Sequence, residues 1–297
     1  MKIAALLALS LFLAAPAFAA GDDYAHQLET ARAARVAELT KADGWLTLIG
    51  LHFLAPGGNT VGRAADNRLA LAAGPEHFGT VELAADGRVS FTAAADAAVR
   101  IDGRPAPAGA VTLLAGTAAA KPTLVSSGTV SFFVIERGGK KALRVRDSAA
   151  ERRTRFLGIE YFPADPSWRI EARWVPFETP REIAITNVLG QVSREQVPGK
   201  AVFERDGKTY EVLPVVEGPD EPLFFILADA TSGETTYPMR FLDAEPPKDG
   251  KVVLDFNRLE NPPCAFTPFA TCPLAPKENR LPLALTAGEK MYRGAHH

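Results

Sequence analysis

The rhythm of the chain after Gly44 constrains its fold more than any other feature. Apolar runs of strand length at 80–83, 89–92, 99–101 and 111–114 alternate with turn residues, and the pattern resumes at 129–137, 143–146, 169–175, 182–187, 201–205, 208–214, 223–228 and 252–256. A turn every 8–12 residues or roughly so is the spacing of an all-β sandwich or barrel. Asp86-Gly87, Asp102-Gly103 and Asp206-Gly207 are hairpin signals, because tight two-residue turns need positive φ and Asp-Gly tolerates it. Trp45 to Leu54 reads as a strand or strand pair, and Pro56-Gly57-Gly58-Asn59 as a turn. The one clear helix comes before all of this, at 22–41. There Ala25, Leu28, Arg32, Val36 and Leu39 recur at helical spacing, and Asp22 or Asp23 can cap the start. No strand–helix–strand alternation, glycine-rich phosphate loop or internal repeat interrupts the pattern. The expected fold is therefore mainly β: an N-terminal helix (20–43), then two packed β-sandwich or barrel-like units, 44–118 and 119–297, with the seam at 115–122.

The first unit is loosely similar to a forkhead-associated sandwich, through Gly62-Arg63 before one strand and Asp102-Gly103-Arg104 before the last. The Ser-x-x-His element of that fold is missing, since His77 stands in Glu76-His77-Phe78-Gly79. The resemblance implies sandwich topology and not phosphopeptide binding.

Residues 1–19 read as a secretory signal peptide: Met1-Lys2, an apolar stretch from Ile3 to Phe12 broken only by Ser10, and Ala17-Phe18-Ala19 as the cleavage site. The expected location is periplasmic or secreted, where disulfides persist. No later run of 18 apolar residues follows, so no stable membrane insertion is expected after cleavage. With 33 Lys+Arg against 35 Asp+Glu the net charge is −2, and without a basic field nucleic acid is not an expected partner.

Common catalytic motifs are absent: there is no Gly-x-Ser-x-Gly, His-Glu-x-x-His or Cys-x-x-Cys. The five histidines, His26, His52, His77, His296 and His297, are scattered, so neither a metal site nor a cofactor is expected. A serine triad would need His52 or His77, and His52 sits in an apolar strand pattern that suits a structural role. Trp45, Trp168 and Trp174 are read as core residues before glycan platforms. The dense region is C-terminal. Between Asp255 and Pro282 lie six of the chain's 23 prolines, which make a stiff, non-helical excursion. Such a segment lacks regular backbone partners, so Asn and Arg side chains are expected to satisfy it.

Cys264 and Cys272, the only cysteines, are expected to form a disulfide; a redox-active pair is the alternative, without Cys-x-x-Cys spacing or a neighbouring Lys or His to support it. Folding back of the excursion would bring Asp255, Asn257 and Arg258 toward Glu278, Asn279 and Arg280, with Arg240 as a third guanidinium. The set Arg240, Asn257, Arg258, Asn279 and Arg280 would then hold a small anionic or saccharide ligand. Two other readings stand beside it: a hydrolase with Asp255 or Glu278 as general base, and a purely structural salt-bridge network. A mixed-charge stretch, Arg144, Arg146, Asp147, Glu151, Arg152, Arg153 and Arg155, is either a solvated loop or the rim of an anion pocket.

Four runs carry a family resemblance: Leu254-Asp255-Phe256-Asn257-Arg258, Asn261-Pro262-Pro263-Cys264-Ala265, Thr271-Cys272-Pro273-Leu274 and Glu278-Asn279-Arg280-Leu281-Pro282. Together they resemble the signature of bacterial domain-of-unknown-function family 1684. Trp45 to Leu51 and Gly158-Ile159-Glu160-Tyr161-Phe162-Pro163 are similar to its other landmarks, so the likeness is expected to span nearly the whole mature chain. The resemblance implies no activity and no catalytic residues. The sequence departs from the pattern at Leu259-Glu260, where Ala-Tyr is expected, and at Phe269, where Tyr is expected; a catalytic phenol at either place would be missing here.

Overall fold

The computed structural model describes residues 17–116, 120–216, 218 and 221–294. Most of the expected signal peptide lies outside the described residues. Helix α1 (Ala17–Thr40) is the helix the apolar spacing predicts. Leu28 and Leu39 are buried on its inner face, and Arg32 and Arg35 lie beside them, half-buried. Thr47 closes the short 3-10 turn after it by donating to the carbonyl of Gly44.

In chain order the first strands are β1 (Leu48–Phe53), β2 (Gly57–Gly62), β3 (Leu69–Ala70), β4 (Gly79–Leu83), β5 (Val89–Ala93), β6 (Arg100–Ile101), β7 (Arg104–Pro105), β8 (Val111–Thr112), β9 (Val125–Ser127), β10 (Val130–Arg137) and β11 (Lys140–Asp147). They form a five-stranded sheet, β3-β2-β4-β5-β8, and a six-stranded sheet, β1-β11-β10-β9-β6-β7. Alternate residues from both sheets, among them Val61, Val81, Phe91, Phe132, Leu143 and Val145, share one core, so this unit is a sandwich. The expected seam at 118/119 falls inside it, because β9, β10 and β11 complete the sheet that β1 begins. The expected turn at Pro56–Asn59 also gives way to strand. Asn59 is wholly buried, and its side chain both donates to and accepts from the backbone of Ala55.

After the one-turn helix α2 (Glu151–Thr154), the second unit is built from β12 (Arg169–Thr186), β13 (Val192–Arg205), β14 (Lys208–Val212), β15 (Leu223–Leu227), β16 (Arg240–Ala244) and β17 (Lys251–Asp255). A four-stranded sheet, β14-β13-β12-β17, faces the β15-β16 ribbon across a core that includes Trp168, Phe203, Phe225, Leu254 and Phe256. The long β12–β13 hairpin shifts register between Pro176 and Arg181, where two prolines in five residues cannot keep a regular ladder. At Asp206-Gly207, φ is 52° and 71°, as the two-residue turn between β13 and β14 requires.

Candidate functional site

The C-terminal signature is mostly consumed in holding itself. Asn257 donates to the carbonyl of Asp165 (2.8 Å) and accepts from its amide (3.0 Å), standing in for a strand partner. Asn279 does the same with Leu213, at 2.8 Å in both directions. Asp255 accepts from the Tyr24 hydroxyl at 2.8 Å and from the Asn257 amide, and its other oxygen lies 3.4 Å from Arg258 Nε. Arg240 is 1% exposed. Its guanidinium donates to Asp229 and to the carbonyls of Leu285, Ala287 and Glu289, which removes it from any ligand. Arg280 is exposed and bends back to the carbonyl of Ala275, while Glu278 is exposed beside Lys277. The Asp255–Arg258 run packs on α1, and the Glu278–Arg280 run packs on Leu213 and Ala228. The expected convergence of Arg240, Arg258 and Arg280 is therefore not formed. Cys264 and Cys272 are both buried thiols and not a disulfide, with the Cys264 amide 3.1 Å from Cys272 Sγ. The hydrogen bond between the two sulfurs, reinforced by burial, holds the Cys272 thiol strongly protonated.

A second group of arginines gathers where β10 and β11 approach the signature loop. Strand β11 is buried on both faces. Leu143 and Val145 point into the sandwich core, while Ala142 and Arg144 point the other way, Ala142 packing with Phe133 and Ile135 and Arg144 lying near Trp45 and Cys272. In register with them on β10 are Phe133 opposite Arg144 and Ser131 opposite Arg146. The Arg144 guanidinium lies 5.2 Å from the centre of the Trp45 ring, and Arg146 lies 4.7 Å from that of Phe133. Both contacts satisfy ring faces but leave N–H edges open. Arg137, at the end of β10, reaches the Thr271 hydroxyl at 3.0 Å, next to Cys272. Arg152 lies 5.6 Å from the ring of Phe269 and donates to the carbonyl of Leu48.

Arg144 is 6% exposed, and its Nε and Nη2 are buried without a hydrogen-bond partner. Burial, with Arg137 and Arg146 adding like charge, drives its guanidinium down to about 10. Among the described residues none of these three arginines enters an ion pair, and the one carboxylate acting on Arg146 is Asp43, at a distance. A buried cation without a counter-charge costs several kcal/mol in order of magnitude. Arg137, without Arg144 or Arg146, lines a cleft of about 750 Å³ that also carries the carboxylates Glu136, Glu195, Glu221 and Asp243. The mixed-charge stretch at 144–155 points to this cluster in the sequence, but alternation alone places Arg144 and Arg146 on an outer face. Only the docking of the second unit buries that face. Among the described residues no group of His, Cys, Asp and Glu is arranged to hold a metal ion.

Fold and site thus define a two-unit β protein with a cluster of arginines at its seam. Residues 154–290 match the family described as protein of unknown function (DUF1684), so the second unit carries that family's domain. The match stops short of the first sandwich and of the Trp45–Leu51 run, a narrower likeness than the sequence leads one to expect. An uncharacterised protein of Haloarcula marismortui, solved in solution by NMR, is 31% identical to this chain. That similarity covers 46% of this chain and 78% of the other, at a TM-score of 0.39. No curated protein matches.

Proposed function

We propose that this is an exported binding protein for a small oxyanion, a phosphate or carboxylate that is free or carried on a saccharide. It is held in the seam by Arg144, with Arg137 and Arg146 flanking. The observation that carries the reading is the buried Arg144 guanidinium with two unpartnered N–H groups and two cationic neighbours. The ligand class is the one first expected for Arg240, Arg258 and Arg280, moved to arginines whose donors are open. General-base hydrolysis finds less support, because Asp255 is saturated with donors and Glu278 faces solvent. Export would place Cys264 and Cys272 in an oxidising compartment, where the adjacent thiols close into the staple.

The test is calorimetric titration of the whole chain with inorganic phosphate and with citrate at low ionic strength, alongside melting temperature. Binding, and a rise in stability of about 2.7 kcal/mol at a hundredfold excess over Kd, is expected. Arg144→Met abolishes it and Arg137→Gln weakens it, while Arg258→Ala and Arg280→Ala leave it intact. Absence of binding by the wild type, or unchanged binding by Arg144→Met, overturns the proposal.

A further inference from the structure

A second pocket lies on the opposite flank of the signature, between α1 and β16, with a volume of about 170 Å³. At about 30 Å³ per water this is room for roughly five waters, the size of a small polar metabolite. Its floor is a closed ion-pair lattice. Arg35 Nε lies 3.1 Å from both Glu260 and Glu289, its Nη2 donates to the carbonyl of Asn261, and Glu289 accepts from the Asn261 amide at 2.6 Å. The floor therefore offers a ligand nothing.

The walls differ. Arg32 lies flat over the Tyr161 ring, 4.2 Å from its centre, and spends one N–H on the carbonyl of Phe162. Its Nε and the Tyr161 hydroxyl are both buried without a partner. Two donors on this wall are thus without a partner, tucked just beneath its surface. Across the pocket, Asp243 stands exposed at the rim on β16 and makes no hydrogen bond or ion pair among the described residues. Burial of its surroundings lifts its carboxyl, as expected for an acid that lacks a cationic partner. Leu28 and Phe241 supply apolar surface between the walls. One wall lacks an acceptor and the other lacks a cation, and the pocket's arginines (Arg32, Arg35, Arg258) balance its carboxylates (Asp243, Glu260, Glu289) in number. A free anion or a free amine would satisfy only one wall.

We infer that this pocket binds a small zwitterion of the α-amino-acid class, its carboxylate accepting from the Tyr161 hydroxyl and Arg32 Nε and its ammonium donating to Asp243. The inference does not rest on the oxyanion reading, although Asp243 also borders the cleft that Arg137 lines.

The experiment titrates the whole chain at pH 7 with L-serine, L-alanine, acetate and methylamine, by calorimetry. Serine or alanine is expected to bind, with acetate and methylamine at least tenfold weaker. Tyr161→Phe removes a hydroxyl that has no partner, so it should keep the wild-type melting temperature while weakening serine at least tenfold; Asp243→Asn should do likewise. Circular dichroism establishes that each variant is folded. Failure of both amino acids to bind, equal binding of acetate or methylamine, or full serine affinity in folded Tyr161→Phe overturns the inference.

Discussion

Arg144 in the seam and Arg240 in the second unit are both buried guanidiniums, and they live in opposite circumstances. Arg240 meets a buried carboxylate, Asp229, at 2.9 Å and three backbone carbonyls. Arg144 meets an aromatic ring, two like charges and no acceptor. Burial alone therefore does not tell how a guanidinium is compensated. What separates the two is the counter-charge: Arg240 has a buried carboxylate and three carbonyls although its Nε too lacks a partner, and Arg144 has no such acceptor. The same contrast extends to the surroundings: Asn257 and Asn279 of the signature each bond the backbone in both directions, whereas Arg144 has two arginines for neighbours.

The sharpest way to break this comparison is to substitute both arginines alike. Arg240→Met strands Asp229 in the core and should cost about 3–5 kcal/mol in urea unfolding, whereas Arg144→Met removes an uncompensated charge and should change stability by less than about 1 kcal/mol or raise it. Equal losses would erase the distinction.

A smaller effect probes the lattice through pH. Burial lifts the Glu289 carboxyl from 4.5 to about 7. Between these values the folded chain keeps a proton that the unfolded chain has released. The stabilisation is full below about pH 4.5 and is lost as pH rises through 7, by on the order of 2–3 kcal/mol. Unfolding free energies at pH 5 and pH 8 should differ in that sense, and Glu289→Gln should flatten the difference. A flat wild-type profile would show that Arg35 fully compensates the burial.

The smallest effect concerns the thiols between the two regions. Protein recovered from an oxidising compartment, unfolded without reductant, should show no titratable thiol, and reduction should lower its stability by about 2 kcal/mol. Two free thiols would leave the pair reduced, as it stands in this structure.

Much of the architecture is legible in the sequence, because hairpin turns and strand alternation are local. Asp206-Gly207 announces its turn through backbone freedom alone, and Leu28 and Leu39 announce the inner face of α1. Strand β16 is harder to read, since Arg240 in its first position looks like a surface residue until Asp229 is brought to it by the fold. The domain seam is hidden for a related reason. Residues 115–122 look like a linker, but the strands beyond them return to pair beside β1, and long-range pairing leaves no local mark. Asn257 and Asn279 are recognisable as important, and their service to the backbone follows from the prolines around them. The arginine cluster is the least legible part, because on β11 the pattern Leu143-Arg144-Val145-Arg146 is that of a half-buried strand with a wet face. Nothing in its periodicity tells that the second unit covers that face.

The double burial of β11 has a mechanical consequence. This strand is a shared wall, one side belonging to the sandwich core and the other to the contact with the family domain. Like charges gathered on a shared wall push the two halves apart, and an anion seated among them pulls the halves together. An anion bound there, as proposed, would be a keystone: its arrival would tighten the joint between the two units, and its departure would loosen it.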